Sequence, residues 1–155
     1  MAEQNNLRIL VVDDEKSIRS FLKTSLSAYG YGVFEATKGK EALTESVSVH
    51  PDAIILDLGL PDMDGREVIA RIRKRTKTPI IILSVRDSPL EKIAALDAGA
   101  DDYLTKPFSV GELLARLKAV MRRLLPLEKN KILRSGKLVL DITIRRVTVE
   151  DKEIN

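Results

Sequence analysis

Five short apolar runs, none interrupted by alternating polar residues, punctuate the chain: "LRILVVDD", "GVFEA", "DAIILD", "PIIILS" and "DDYLT". An unbroken run reads as a strand covered on both faces, because a strand with one wet face alternates apolar and polar residues. Between the runs lie segments of helical period. Five strands alternating with five helices predict an α/β fold, a doubly wound five-stranded parallel sheet with helices on each side. The expected strand order is 2-1-3-4-5.

The helical segments carry their own signals. "EKSIRSFLKTSLSAYG" places Ile18, Phe21, Leu22, Leu26 and Tyr29 on one face, with Gly30 as a stop. "TKGKEALTESVSVH" and "REVIARIRKR" follow, and "PLEKIAALDAG" is closed by Gly99. "SVGELLARLKAVMRRLL" is the clearest helix. Ser109 and Glu112 have capping-box spacing, and Val110, Leu113, Leu114, Leu117, Val120 and Leu124 form an apolar stripe.

Residues 1–125 account for one such domain. Residues 126–134, with Pro126 leading, read as a polar linker. Residues 135–155 then alternate in the manner of antiparallel strands, with Leu138, Leu140, Ile142, Ile144, Val147 and Val149 apolar. A meander of that length buries no core of its own, so it is expected to begin a second domain.

Composition excludes several chemistries. There is no Cys and a single His, His50, so thiolate or polyhistidine metal sites and Cys nucleophiles are out. A net charge of +3 does not by itself indicate nucleic acid. No apolar run approaches the ~18 residues of a membrane span, and "MAEQNNLRIL" does not have the pattern of a secretory signal. A cytoplasmic protein that does not engage membranes is expected.

The chemistry gathers at the strand ends. In an open parallel sheet, ligands bind beyond the carboxyl ends of the strands, where the strand order reverses. Asp13 and Asp14 end the first strand, Asp57 the third and Ser84 the fourth, and Lys106 follows the fifth. Three adjacent carboxylates repel one another, and a hard divalent cation relieves them. Mg²⁺ favours few carboxylates together with waters and phosphate oxygens. Asp57 is then placed to accept a phosphoryl group as an acyl phosphate. Mg²⁺ and Lys106 would neutralise the phosphoryl oxygens and the Ser84 hydroxyl would donate to one of them. Taken singly, Asp14 is a helix cap, Ser84 a turn residue and Lys106 a surface lysine; their joint placement carries the reading.

The motifs "VVDDE", "LDLGLPDMDG", "IIILS" and "GADDYLTKPF" stand in the order and spacing of a bacterial response regulator's receiver domain, which the chain resembles over roughly Leu7 to Leu125. The resemblance implies a CheY-like (flavodoxin-like) fold, the phosphoacceptor Asp57, and Mg²⁺ held by Asp13, Asp14, Asp57 and the backbone carbonyl of Gly59. It also implies a phosphoryl-binding Lys106, a switch hydroxyl at Ser84, a switch aromatic at Tyr103 and a cis peptide at Lys106–Pro107. "GADDYLTKPF" followed by "ELLARLKAVMRR" is similar to the OmpR/PhoB group of transcription factors, and other segments resemble its Kdp-type regulators of potassium uptake. That implies a KdpD-like sensor histidine kinase as phosphoryl donor. It implies dimerisation of the phosphorylated domain through the fourth helix, fifth strand and fifth helix. It also implies DNA binding only through a C-terminal winged helix, of which 135–155 would be the first strands. At the dimer positions stand Lys92, Asp101, Asp102, Glu112, Arg116 and Arg123. Across a two-fold axis, Lys92 could meet Glu112, Asp102 could meet Arg116 and Asp101 could meet Arg123. Without the resemblance, these are a solvated helix face with an internal Glu112–Arg116 pair.

Competing readings fit less well. A Mg²⁺-dependent aspartyl-phosphate phosphatase needs an acid–base Asp two positions after its nucleophile, and Gly59 stands there. A flavin-binding module of this fold needs a hydroxyl-rich phosphate loop, where this chain has the acidic "DDEKS". A single-domain phosphorelay or interaction module is the remaining alternative. "DMDG" does not register as a calcium loop, since the first and twelfth ligand positions would be Leu60 and Arg71. The basic run "RIRKRTK" reads as a solvated helix end, and His50 as exposed.

Overall fold

The computed structural model describes residues 6–124, without the side chains of 123 and 124. The expected linker and the strands of 135–155 lie outside the described residues. The elements alternate as β1 (Arg8–Val12), α1 (Lys16–Ser27), β2 (Gly32–Ala36), α2 (Gly39–Ser48), β3 (Ala53–Leu56), α3 (Gly65–Arg73), β4 (Ile80–Ser84), α4 (Pro89–Ala98), β5 (Asp102–Thr105) and α5 (Val110–Leu124). The strands form one sheet in the order β2-β1-β3-β4-β5, every pair parallel. The fold class and strand order expected from the unbroken apolar runs are those observed.

Successive residues of the central strands point into different cores. Ile9, Val11, Ile55, Ile81 and Leu83 pack with Leu22 and Leu26 of α1 and with Leu113, Leu117 and Val120 of α5. Leu10, Val12, Ile54, Leu56, Ile80 and Ile82 pack with Ala42 of α2, Val68, Ile69 and Ile72 of α3 and Ala95 of α4. Both faces of the sheet are therefore dry, as parallel strands require. β2 is an edge strand and exposes Phe34 and Glu35.

Two helices differ from their pattern. In α1, Leu22 and Leu26 are buried, yet Phe21 and Tyr29 are 47% and 51% exposed. α1 shares its sheet face with α5, so its buried stripe is narrow. Phe21 instead meets Phe108 edge-on, with ring centroids 6.1 Å apart. In α4 only Ala95 is buried, and Leu90, Ile93 and Leu96 face solvent.

The β3–α3 loop is held from several directions. Asp62 accepts from the Gly39 and Lys40 amides at 2.7 and 2.9 Å and so caps α2. Asp64 caps α3 through the Arg66 amide at 2.8 Å. Gly65 approaches so closely that an added Cβ would lie 2.7 Å from Leu58 Cα. The carboxylates of "DMDG" thus serve helix ends.

Candidate functional site

The end of each central strand delivers one polar group to the carboxyl edge of the sheet. β1 ends at Val12, and the Asp13 amide continues the ladder to the Ala36 carbonyl. The Asp57 amide donates to the Val12 carbonyl at 2.9 Å, which seats Asp57 beside the Asp13 pair. The Lys106 amide donates to the Ser84 carbonyl at 2.8 Å, which turns the lysine back over the edge. The Lys106–Pro107 peptide is cis.

Carboxylate oxygens of Asp13, Asp14 and Asp57 lie within 4.8 Å of one another. Asp13 is buried, Asp14 is exposed, and the Asp57 side chain is largely covered. Lys106 Nζ stands 3.0 Å from Asp13 Oδ2, 4.0 Å from Asp57 Oδ1 and 3.7 Å from Glu15 Oε1. Asp13 Oδ1 also accepts the Glu15 amide at 2.9 Å. Arg19 Nη1 donates to the Asp13 carbonyl, and its Nε pairs with Glu35, which fixes this corner.

The charges pull against one another. Burial raises the Asp57 carboxyl above the usual carboxylate range, and Asp13 and Asp14 add to that, while Lys106 and the Gly59 amide pull it down. Burial opposes the charge on Lys106, but the Asp13 hydrogen bond and the surrounding carboxylates more than offset it, so its pKa is raised. Three hard oxygen donors around one open position fit a hard divalent cation such as Mg²⁺ better than any softer metal.

Ser84 and Tyr103 join the site through one backbone unit. Ser84 is buried, and its Oγ accepts the Arg86 amide at 3.1 Å. The buried Tyr103 phenol donates to the Arg86 carbonyl. Burial raises the phenol pKa, and the Ser84 hydroxyl beside it partly reverses that. Lys92 Nζ sits 5.9 Å from the centroid of the Tyr103 ring.

Among the described side chains, the charges expected across a dimer axis have partners within the chain. Arg116 Nη1 contacts both Asp102 oxygens at 3.0 Å, and its Nη2 meets Glu112 at 3.2 Å. Asp101 binds Arg73 Nη2 at 2.7 Å and the Ile80 amide at 2.8 Å. Arg123 is on α5, and its side chain lies outside the described residues. Glu112 donates its amide to Ser109 Oγ at 3.0 Å, so one half of the capping box is formed.

The basic run is partly structural. Arg71 pairs with Glu67, and Arg73 reaches the carbonyls of Gly99 and Thr78 besides Asp101. His50 is exposed. Sequence reasoning missed Arg86, which ties Ser84 to Tyr103, and the exposed apolar face of α4. The signal for that face was that "PLEKIAALDAG" has more apolar residues than one buried stripe uses.

A model of the response regulator receiver domain matches residues 9–118. The chain is 54% identical over 115 residues to the KDP operon transcriptional regulatory protein KdpE of Escherichia coli, covering 74% of this chain and 51% of that protein. It is 45% identical over 153 residues to the response regulator MprA of Mycolicibacterium vanbaalenii, covering 96% of this chain and 66% of that one. The chain thus spans about half to two-thirds of the length of these curated relatives. Among solved structures, the Francisella response regulator 1452 receiver domain aligns with a TM-score of 0.72 and 42% identity, over 76% of this chain and 98% of that one. Among the described residues no helix is long and apolar enough to cross a membrane.

Proposed function

Since the chain belongs to the receiver-domain family of two-component response regulators, we propose that Asp57 is its phosphoacceptor and that a sensor histidine kinase of the KdpD kind is the donor. The observation that carries this is the Lys106 ammonium standing between Asp13 and Asp57 among three converging carboxylates.

Asp13, Asp14, Asp57 and the Gly59 carbonyl would hold Mg²⁺, which supplies charge neutralisation to phosphoryl oxygens when bound. Lys106 meets one phosphoryl oxygen and the Ser84 hydroxyl donates to another. Moving the Ser84 hydroxyl toward the phosphoryl breaks its contact with the Arg86 amide. Tyr103 reports that move, because it bonds the carbonyl of the same residue, Arg86. A phosphatase reading lacks a general acid, since position 59 is Gly.

The output is a homodimer through α4, β5 and α5. Leu90, Ile93 and Leu96 supply exposed apolar area there. Lys92, Asp102, Glu112 and Arg116 supply charges that can exchange intramolecular for intermolecular partners, at small cost for the exposed Glu112–Arg116 pair. Asp101 is instead committed to Arg73. Phosphorylation-driven pairing in the cytoplasm would then control DNA binding and transcription by the full-length regulator.

Incubation with acetyl phosphate and Mg²⁺, with sizing of the same samples, tests this. The expected result is one phosphoryl group per wild-type chain and a shift to dimer, both lost on adding EDTA or in Asp57→Asn. Stoichiometric labelling of Asp57→Asn would sink the assignment. Labelling without dimerisation would sink the output face alone.

A further inference from the structure

Arg86 faces two anionic positions at once. Its Nη1 lies 3.6 Å from Glu91 Oε1 in the first turn of α4. That is ion-pair range but too long for a hydrogen bond. Glu91 Oε1 is removed from solvent and has no hydrogen-bond partner. The pair is therefore half made: the oxygen is desolvated without the bond that would offset it.

The other position is the acceptor. An added Cβ on Gly59 would find Arg86 Nη2 at 3.8 Å and Asp57 Oδ2 at 3.9 Å, with no steric conflict. The guanidinium and the acceptor carboxylate thus flank the volume that the missing side chain leaves open. In the resting chain Ser84 Oγ accepts the Arg86 amide and the Tyr103 phenol holds its carbonyl. Loss of the Ser84 contact on phosphorylation leaves the carbonyl anchored and the guanidinium able to change partner. Asp64 and Arg66, at the start of α3, add one charge of each sign around the pair.

We infer that Arg86 is an exchangeable cation: it rests on Glu91 in the unphosphorylated chain and crosses the Gly59 gap to a phosphoryl group on Asp57. This rests on the phosphoacceptor reading above. The phosphoryl group carries more charge than a carboxylate and offers oxygens in the fork geometry that a guanidinium matches. Crossing frees Glu91, which loosens the first turn of α4 beside Leu90 and Ile93. Arg86 is thus a positioning residue that couples the acceptor to the output helix.

The test uses beryllofluoride with Mg²⁺ as the phosphoryl mimic, read by calorimetry, together with hydrogen exchange at the Glu91 and Lys92 amides, which bond Ser88 in the resting chain. The variants are Glu91→Gln, Arg86→Gln, Arg86→Lys and the double Arg86→Gln/Glu91→Gln. Glu91→Gln is expected to tighten binding about 5-fold and Arg86→Gln to weaken it about 5-fold, with partial recovery in Arg86→Lys. Glu91→Gln should have no effect in the Arg86→Gln background. The two amides should exchange faster on ligand binding in the wild type and already exchange fast in free Arg86→Gln. Additive effects of the two substitutions, or unchanged exchange, would overturn the inference while leaving the acceptor intact. Absence of Mg²⁺-dependent binding by the wild type would overturn both.

Discussion

Replacing Lys106 by Met should move fold stability and metal affinity in opposite directions. Met keeps the apolar stem and removes the ammonium that lies 3.0 Å from Asp13 and 4.0 Å from Asp57. The Lys106 and Asp13 side chains are 11% and 3% exposed, so solvent screens this pair weakly. Glu15 is 61% exposed and contributes little. At an effective dielectric near ~20, each close attraction is about 4–6 kcal/mol before the desolvation of the ammonium is subtracted. Removing one partner of a buried pair costs about 3–5 kcal/mol, because the other charge is left uncompensated. The ammonium's own desolvation cost disappears with it, which places the loss near ~3 kcal/mol. In a domain of this size that lowers Tm by on the order of 10 °C. Mg²⁺ no longer shares the carboxylates with an ammonium, so its affinity should rise about tenfold, the equivalent of ~1.4 kcal/mol. Urea unfolding at neutral pH without metal, and Mg²⁺ titration of the folded variant, measure the two effects. A variant as stable as wild type, with unchanged Mg²⁺ affinity, would refute the reasoning. A loss of both stability and metal affinity would indicate a site that has simply collapsed.

Other consequences are as specific. Burial raises the folded-state pKa of Asp57, so ionisation of this group weakens the metal-free fold. The penalty is absent below the unfolded value of about 4 and is complete once pH has risen through the folded value. Asp57→Asn should therefore be more stable than wild type at neutral pH without Mg²⁺, with the difference vanishing in acid; denaturation midpoints across pH check this. Arg73→Ala should cost about 2 kcal/mol, since it unpairs Asp101 and frees the Gly99 and Thr78 carbonyls. Gly99→Ala, whose Cβ would lie 2.7 Å from Arg73 Cγ at a φ of +125°, should cost less in that background than alone, as a double-mutant cycle would show. Ile93→Glu should leave phosphorylation intact and abolish the shift to dimer on a sizing column, because Ile93 is exposed and far from the acid cluster in role.

The parts of the molecule legible in the sequence are those where one physical demand dominates. Burial on both faces left β1, β3 and β4 as apolar runs, and chemistry at the carboxyl edge placed Asp13 and Asp57 just past β1 and β3, Ser84 at the end of β4 and Lys106 just past β5. Ser109 announced α5 because a helix start needs an acceptor for its free amides. Arg73 and Arg86 could not be read, because a long cation's partner is set by tertiary approach and not by sequence neighbours. Arg73 finds Asp101 some 28 positions away. The stripe on α1 was over-read, since periodicity marks a face but not how much of it a neighbouring helix leaves to cover. The same applies to α4, whose apolar residues exceed what the sheet buries. The pairs Asp102–Arg116 and Glu112–Arg116 form within one chain because β5 and α5 already bring them together.

The central claim is that the phosphoryl group goes to Asp57, and chemical trapping locates it most directly. After reaction with acetyl phosphate and Mg²⁺, borohydride reduces an aspartyl phosphate to homoserine, and peptide mapping across the whole chain reads the site. The account predicts homoserine at position 57 alone, dependent on Mg²⁺. Trapping at Asp13 or Asp14, or a phosphate on Ser84 with none at 57, would contradict it.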